Sequence, residues 1–299
     1  MSPARRPPTA IIGAGRLARA VGPAAVRAGY PIVAVASRSV ASARRLSKRL
    51  AGPPVAACPA DAARPARLVL LAVPDREVRA VAREIAGSLE TGWKSRTVLH
   101  HAGSLGLEPL SPLAKLGAGV GVLHPLQCLG ISEVAASVLP GSGARIEGNR
   151  RGAAAARRLA GDLGLIPLPI PPGLRPSDRA TYHTAASLVS NDLVALLSLA
   201  VDLMESIGVP RSKALAGLLP LASGTLAHTE AGGLDGALTG PIARGDVETA
   251  AAQLRSLSRR SRTGAEAHRL LALRLLEMSE RAGLLDSAQR RELRRLLQR

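Results

Sequence analysis

The sequence predicts an α/β fold: a doubly wound, mostly parallel sheet followed by an all-α C-terminal domain. Three observations carry this. Short apolar runs alternate with segments of helical spacing through the first part of the chain. A glycine turn, Gly13-Ala14-Gly15-Arg16-Leu17-Ala18, joins the first run to the first helical segment. Beyond Pro176 the apolar runs stop and only helical spacing remains. At 299 residues the chain is long enough for two cores, and the break at Pro167, Pro169, Pro171, Pro172, Gly173 and Pro176 sets domains over 1–172 and 173–299.

Taken in order, Thr9 to Ile12 reads as a short buried strand. Leu17, Val21, Ala24, Ala25 and Ala28 follow at helical spacing, and Gly29 ends that helix. Ile32 to Ala36 supplies a second strand, Val40 to Leu50 a helix and Val55 to Ala57 a short strand. Leu68 to Val73 is continuously apolar, as a strand covered on both faces should be. Val78, Val81, Ala82 and Ile85 mark the next helix. Strands are expected at Thr97–Leu99, Gly119–Leu123 and Leu165–Ile170, with a helix capped by Asn149 before the last. In the second half, helices are expected over Arg179–Ile207, Ser212–Ala227, Val247–Leu257, Ala265–Arg281 and from Asp286 onward.

The turn has the Gly-x-Gly-x-x-Ala spacing of a dinucleotide site. Gly13 permits the sharp turn, Gly15 lets a pyrophosphate approach the backbone, and Ala18 lets helix and strand pack closely. The helix it opens offers free N–H groups and a positive dipole end to the anion. At the end of the second strand an NAD site usually carries an acid for the ribose 2′-OH; this chain has Ser37-Arg38-Ser39. A guanidinium flanked by hydroxyls suits a 2′-phosphate, so NADP(H) is expected over NAD(H). Val73-Pro74-Asp75, His100 to Ser104, and His124 to Gln127 lie at the carboxyl ends of strands and are expected beside the nicotinamide.

Composition narrows the partners. The formal charge is +18, but the basic residues are mostly scattered arginines, with no Phe, one Trp and two Tyr for base stacking, so no specific nucleic-acid partner is expected. Met1 to Pro8 has neither an apolar core nor a cleavage site, so no signal peptide is expected. Cys58 and Cys128 provide no disulfide framework and fit a reducing cytoplasm. Asn191, Asp192 and Asp202 interrupt the apolar stretch from Ala185 to Met204 and argue against a membrane span. His100, His101, His124 and Cys128 have no paired acidic ligands, and adjacent strand histidines face opposite ways, so no metal site is expected.

His183, Ser187 and Asn191 follow at intervals of four, one face of a helix. Such a stripe either packs as a satisfied polar seam or faces a substrate. In the second case His183 serves as proton donor while Ser187 and Asn191 orient a carbonyl or imine. Near the turn at Gly240-Pro241, Thr239 and Arg244 could hold a substrate carboxylate, while Asp246 can cap the helix that starts at Val247.

The segments Ile12–Ala18, Leu71–Asp75, His124–Gln127, Tyr182–Asn191 and Leu238–Asp246 together resemble a group of Rossmann-like proteins whose C-terminal half is a domain of unknown function. These stand near ketopantoate reductase, pyrroline-carboxylate reductase and the deazaflavin-dependent NADP reductases. The resemblance implies a Rossmann-type sheet, a 6-phosphogluconate-dehydrogenase-like helical domain, and a homodimer built through that domain. Related hydroxyacid-type dehydrogenases carry Lys-x-x-x-Asn on the interdomain helix. Asn191 matches the Asn, but Ser187 stands at the Lys position, and no lysine occurs between Lys115 and Lys213. No short motif marks or excludes a deazaflavin as second cofactor. The expectation is an NADP-dependent oxidoreductase acting on a small, carboxylate-bearing carbonyl or imine; a nucleotide-binding sensor without turnover is the alternative.

Overall fold

The structure is a computed structural model and describes residues 6–89, 91–130, 137–171 and 173–298. Met1 to Arg5 of the N-terminal segment, Pro172 of the proline break and Arg299 lie outside the described residues. The chain divides into two compact units, Met1–Ser190 and Asn191–Arg299.

The first unit is built on a seven-stranded sheet. Its strands are β1 (Thr9–Ile12), β2 (Ile32–Ala36), β3 (Leu68–Leu71), β4 (Thr97–His100), β5 (Gly119–Pro125), β6 (Gly143–Gly148) and β7 (Ile166–Pro167). Their spatial order is β2-β1-β3-β4-β5-β6-β7. The first five strands run parallel, β6 pairs antiparallel with β5, and β7 pairs parallel with β6. The helices between them are α1 (Arg16–Arg27), α2 (Val40–Arg49), α3 (Pro59–Ala63), α4 (Asp75–Ser88), α5 (Ser111–Lys115) and α6 (Arg150–Asp162).

The alternation of side chains along each strand fills two cores. Ile11, Val35, Leu70, Leu99 and Leu123 pack on one face with Val21, Leu46 and Leu159 from α1, α2 and α6. Ile12, Val69, Leu71 and Val98 pack on the other with Val78, Ala82 and Ile85 of α4. Because both faces are covered, the central strands read as unbroken apolar runs. Strand order reverses between β1 and β3, and the crevice beyond the carboxyl ends of those two strands is where such sheets take ligands.

Several expectations need correction. Val55–Ala57 is no strand; Val55 makes one parallel bridge to Val35, and α3 follows. Only Ile166 and Pro167 of the last predicted run pair with the sheet. Strand β6 was not expected, since Gly143-Ala-Arg-Ile-Glu-Gly148 puts an arginine and a glutamate where apolar residues would mark a strand.

The long helix α7 (Pro176–Glu205) runs through the division, so Arg179, Tyr182 and His183 belong to the first unit. The second unit continues with α8 (Arg211–Gly236), broken by non-helical backbone at Gly233, then α9 (Gly240–Arg244), α10 (Val247–Arg260), α11 (Arg262–Arg281) and α12 (Ser287–Leu297). Its core is Ile242, Leu254, Leu276, Leu285, Leu293 and Leu297. Asp246 caps α10 by accepting from Thr249 N at 3.0 Å. By length and composition α7 could cross a membrane, so the polar residues at 191, 192 and 202 do not by themselves disqualify it.

Candidate active site

The glycine turn sits at the strand reversal. Gly13 donates its N–H to Ala36 O at 2.8 Å and has a left-handed φ of +111°. A Cβ there would lie 2.1 Å from Ala72 O, so the turn after β1 is pressed against the end of β3. Gly15 is different: a Cβ would meet nothing within 4 Å, and the residue is exposed at the N-cap of α1 with no side-chain cap bond. The first turn of α1 has no acidic residue. Ala14 and Ala18 are buried against the core, Leu17 is half-buried and Arg16 is exposed. This leaves an uncapped helix start over open space, which fits a pyrophosphate.

At the end of β2, Ser39 caps α2 by accepting from Ser42 N at 3.2 Å. Ser37 is half-buried, whereas Arg38 is exposed and reaches Glu77 Oε1 of α4 at 3.5 Å. Arg76 approaches the same carboxylate at 3.3 Å. Arg38, Arg76 and Glu77 therefore cluster, and the two guanidiniums could bind a 2′-phosphate. Val73 and Pro74 precede α4, whose first residue Asp75 accepts from Ser104 Oγ at 2.5 Å. That bond ties the ends of β3 and β4 together.

The ends of β4, β5 and β6 and the start of α7 converge on a second group. His124 on β5 lies directly opposite Arg145 on β6 in the antiparallel register. Arg145 is 1% exposed. It donates to Glu147 Oε2 at 2.8 Å, Leu105 O at 2.5 Å and Ala102 O at 3.3 Å, and its guanidinium lies 5.8 Å from the centroid of the Tyr182 ring. Tyr182 Oη is 3.0 Å from His124 Nδ1, and the His183 ring meets the His124 ring edge-on at 6.2 Å. Arg179 anchors this end of α7 through Leu174 O at 2.6 Å and Glu108 Oε1 at 2.9 Å.

Burial, the Arg145 charge and His183 push the His124 pKa down to about 4, so its ring is neutral at pH 7. Burial pushes Tyr182 up to about 12, against the opposing pull of Arg145, so the phenol keeps its proton, with its oxygen at hydrogen-bonding distance from His124 Nδ1. His100 is occupied structurally: Nδ1 accepts from Ala102 N at 3.2 Å and Nε2 donates to Gly106 O at 2.8 Å. His101 donates from Nδ1 to Leu123 O at 2.5 Å, while its buried Nε2 has no partner among the described residues.

The structure thus brings His183 to His124, which the sequence reading had put only beside the cofactor. It adds Tyr182 and Arg145, which that reading gave no role. The opposite charges two apart on β6, Arg145 and Glu147, are the signal that could have marked a buried ion pair on one strand face. Ser187 is half-buried two turns from the start of this group, and Asn191 is the first residue of the second unit. In that unit Thr239 is the N-cap of α9 without a side-chain cap bond, and Arg244 is the exposed last residue of α9.

Two family models match the chain: a Rossmann-like domain over residues 2–125 and a domain of unknown function, DUF2520, over residues 143–275. The chain therefore carries these two domains in succession, as the sequence resemblance implied. No curated protein matches by sequence. A solved structure assigned as an NADP oxidoreductase from Bacteroides fragilis is 24% identical, with 91% of this chain and 99% of that chain covered and a TM-score of 0.69. A protein of Thermotoga maritima is 22% identical, with 92% and 99% covered and a TM-score of 0.67. A pyrroline-5-carboxylate reductase from Coxiella burnetii is 16% identical, with 94% and 99% covered and a TM-score of 0.62. These likenesses are of fold.

Proposed function

We propose that this chain is an NADP-dependent oxidoreductase that reduces a small carbonyl or imine compound. The observation that carries the reading is the placement of the glycine turn at the β1/β3 strand reversal, in the same unit as a cluster of polar rings at the carboxyl ends of β4 and β5. The names of the structural neighbours, an NADP oxidoreductase and a pyrroline-5-carboxylate reductase among them, support the same class.

Gly13 to Ala18 would hold the pyrophosphate, and Arg38, with Ser37, Ser39 and Arg76, the 2′-phosphate, so NADP(H) is preferred over NAD(H). The bound nicotinamide supplies or accepts a hydride. Val73, Pro74 and His124 stand at the strand ends that would border it. His183, exposed and without a hydrogen-bond partner among the described residues, is the proton donor, and water can restore its proton. Ser187 and Asn191 follow His183 on one face of α7 and would orient the acceptor. Thr239 and Arg244 would hold a substrate carboxylate.

The working form is a homodimer. Along α7 and α8, Leu188, Val189, Val194, Leu221, Leu226 and Leu234 are each more than half exposed, and grouped exposed apolar side chains mark association surfaces. A second copy covering these helices accounts for this exposure, as the resemblance implied.

The test is NADPH oxidation in the presence of 2-oxo acids, simple ketones and cyclic imines. Turnover that His183→Ala reduces about a hundredfold, with NADPH affinity unchanged, supports the assignment. Tight NADPH binding with no turnover on any class would make the protein a nucleotide sensor.

A further inference from the structure

Arg145 and Arg179 are the two buried arginines among the described residues, and both converge on one segment. Arg145 of β6 donates to Ala102 O at 3.3 Å and to Leu105 O at 2.5 Å, and Arg179 donates to Glu108 Oε1 at 2.9 Å. That segment, Ala102 to Glu108, leaves β4 at the strand end that would border the nicotinamide. Both arginines also belong to α7 or reach it. Arg179 lies in its first turn, and the Arg145 guanidinium is 5.8 Å from the centroid of the Tyr182 ring. His183 is the next residue on that helix and is exposed. It makes no hydrogen bond among the described residues, so its place is set by the helix that carries it.

We propose that Arg145 is a positioning residue: it holds the loop after β4 and the first turns of α7 in one geometry, and so fixes where His183 stands. The chemistry of the side chain suits the task. A guanidinium is a planar fork of donors with a face that stacks on an aromatic ring, so one group can bond two carbonyls and meet Tyr182 at once. Its charge is balanced on the same strand, where Glu147 Oε2 accepts from Nη1 at 2.8 Å. A lysine would carry the same charge as a single point and could not span these partners.

The inference rests on the reductase reading for its consequence, because only there does the place of His183 decide a rate. Proton transfer needs the donor within hydrogen-bond reach of the reacting group, and a displacement of about 1 Å can cost about a hundredfold. The nucleotide contacts proposed above, Gly13 to Ala18 and Arg38, lie at the ends of β1 and β2 and make no bond to Arg145. Loosening Arg145 should therefore slow turnover and leave nucleotide affinity alone.

The test uses the full-length protein, Arg145→Lys, and the pair Tyr182→Leu and Tyr182→Phe, in which leucine removes the gripped ring and phenylalanine restores it. The His124 and His183 rings meet edge-on at 6.2 Å, so labelled-histidine spectra without ligand should show a proton cross-relaxation signal between them. Arg145→Lys and Tyr182→Leu should lose that signal, and Tyr182→Phe should recover it. In NADPH oxidation with pyruvate, cyclopentanone or 1-pyrroline, kcat should fall about a hundredfold in the first two variants while the NADPH Kd stays within about twofold. Ile85→Ala, a core truncation on α4, is the control for stability: it should unfold at lower urea and keep the histidine signal. A signal that survives in Arg145→Lys or Tyr182→Leu, or is lost in Ile85→Ala as well, overturns the proposal. So does an NADPH affinity that falls in step with kcat. If Arg145→Lys does not fold, the tyrosine pair decides. If none of the three compounds is turned over, that counts against the reductase reading, and the histidine signal alone then decides whether Arg145 positions His183.

Discussion

His124 and Arg145 are cross-strand neighbours, paired on the antiparallel β5–β6 ladder with Tyr182 of α7 against both. Burial first, and the Arg145 guanidinium after it, keep the His124 ring neutral where an isolated histidine would begin to titrate. The same sheet end leaves His101 fully buried, with its pKa also lowered to about 4 by burial.

This has a consequence for acid stability. Both folded pKa values lie below the ordinary value of 6.5, so above that pH neither state carries the proton and the histidines contribute no slope. Between 6.5 and about 4 the unfolded chain binds protons that the folded chain refuses, and stability falls as the pH falls. Urea unfolding across this window should show it. The double variant His101→Asn/His124→Asn should lose about 1 kcal/mol per pH unit of slope near pH 5 for each histidine removed. An unchanged slope would mean that these rings do charge in the folded protein.

The two glycines of the turn should separate folding from binding. Gly13→Ala places a methyl group 2.1 Å from Ala72 O in a left-handed backbone and should cost about 3 kcal/mol or more by chemical denaturation. Gly15→Ala meets no protein atom within 4 Å and should stay within about 0.5 kcal/mol of wild type while weakening NADPH about tenfold.

How much of this was legible in the sequence follows from which physical signal each part leaves. The Gly13–Ala18 turn, the buried strands β1, β3 and β4, and the caps Ser39, Asn149 and Asp246 each leave a local pattern, and each is present. Strand β6 and the role of Arg145 left only the opposite charges of Arg145 and Glu147 two positions apart, because a strand held by an ion pair and a cross-strand register looks polar and solvent-facing in one dimension. The pairing of His124 with Tyr182 spans 58 positions, and only the fold brings them together. His183 was found from its helical spacing with Ser187 and Asn191; its nearest polar neighbour came from another element altogether.

Glu77 holds Arg38 at 3.5 Å and Arg76 at 3.3 Å, the two guanidiniums proposed to bind the 2′-phosphate. Glu77→Gln should free both guanidiniums and remove a repulsive charge. NADPH affinity should rise about two- to fivefold, as expected for an exposed pair worth under about 1 kcal/mol, with NADH affinity nearly unchanged. Equal gains for both nucleotides would show that the arginines do not read the 2′-phosphate.

The exposed face of α7 and α8 is tested by mass in solution. Light scattering should give twice the 30.8 kDa chain mass for wild type. Leu221→Glu, at a site 67% exposed, should shift the protein toward monomer without loss of helix content. A wild-type monomer would require another occupant for that face.

The most direct test of the central claim is a calorimetric titration with NADPH and, separately, NADH, in wild type and Arg38→Ala. The account predicts NADPH binding at least about tenfold tighter than NADH, with most of that preference lost in Arg38→Ala, because a charged phosphate contact is worth roughly 1.5–3 kcal/mol. Binding of neither nucleotide, or a preference that Arg38→Ala leaves intact, would contradict it.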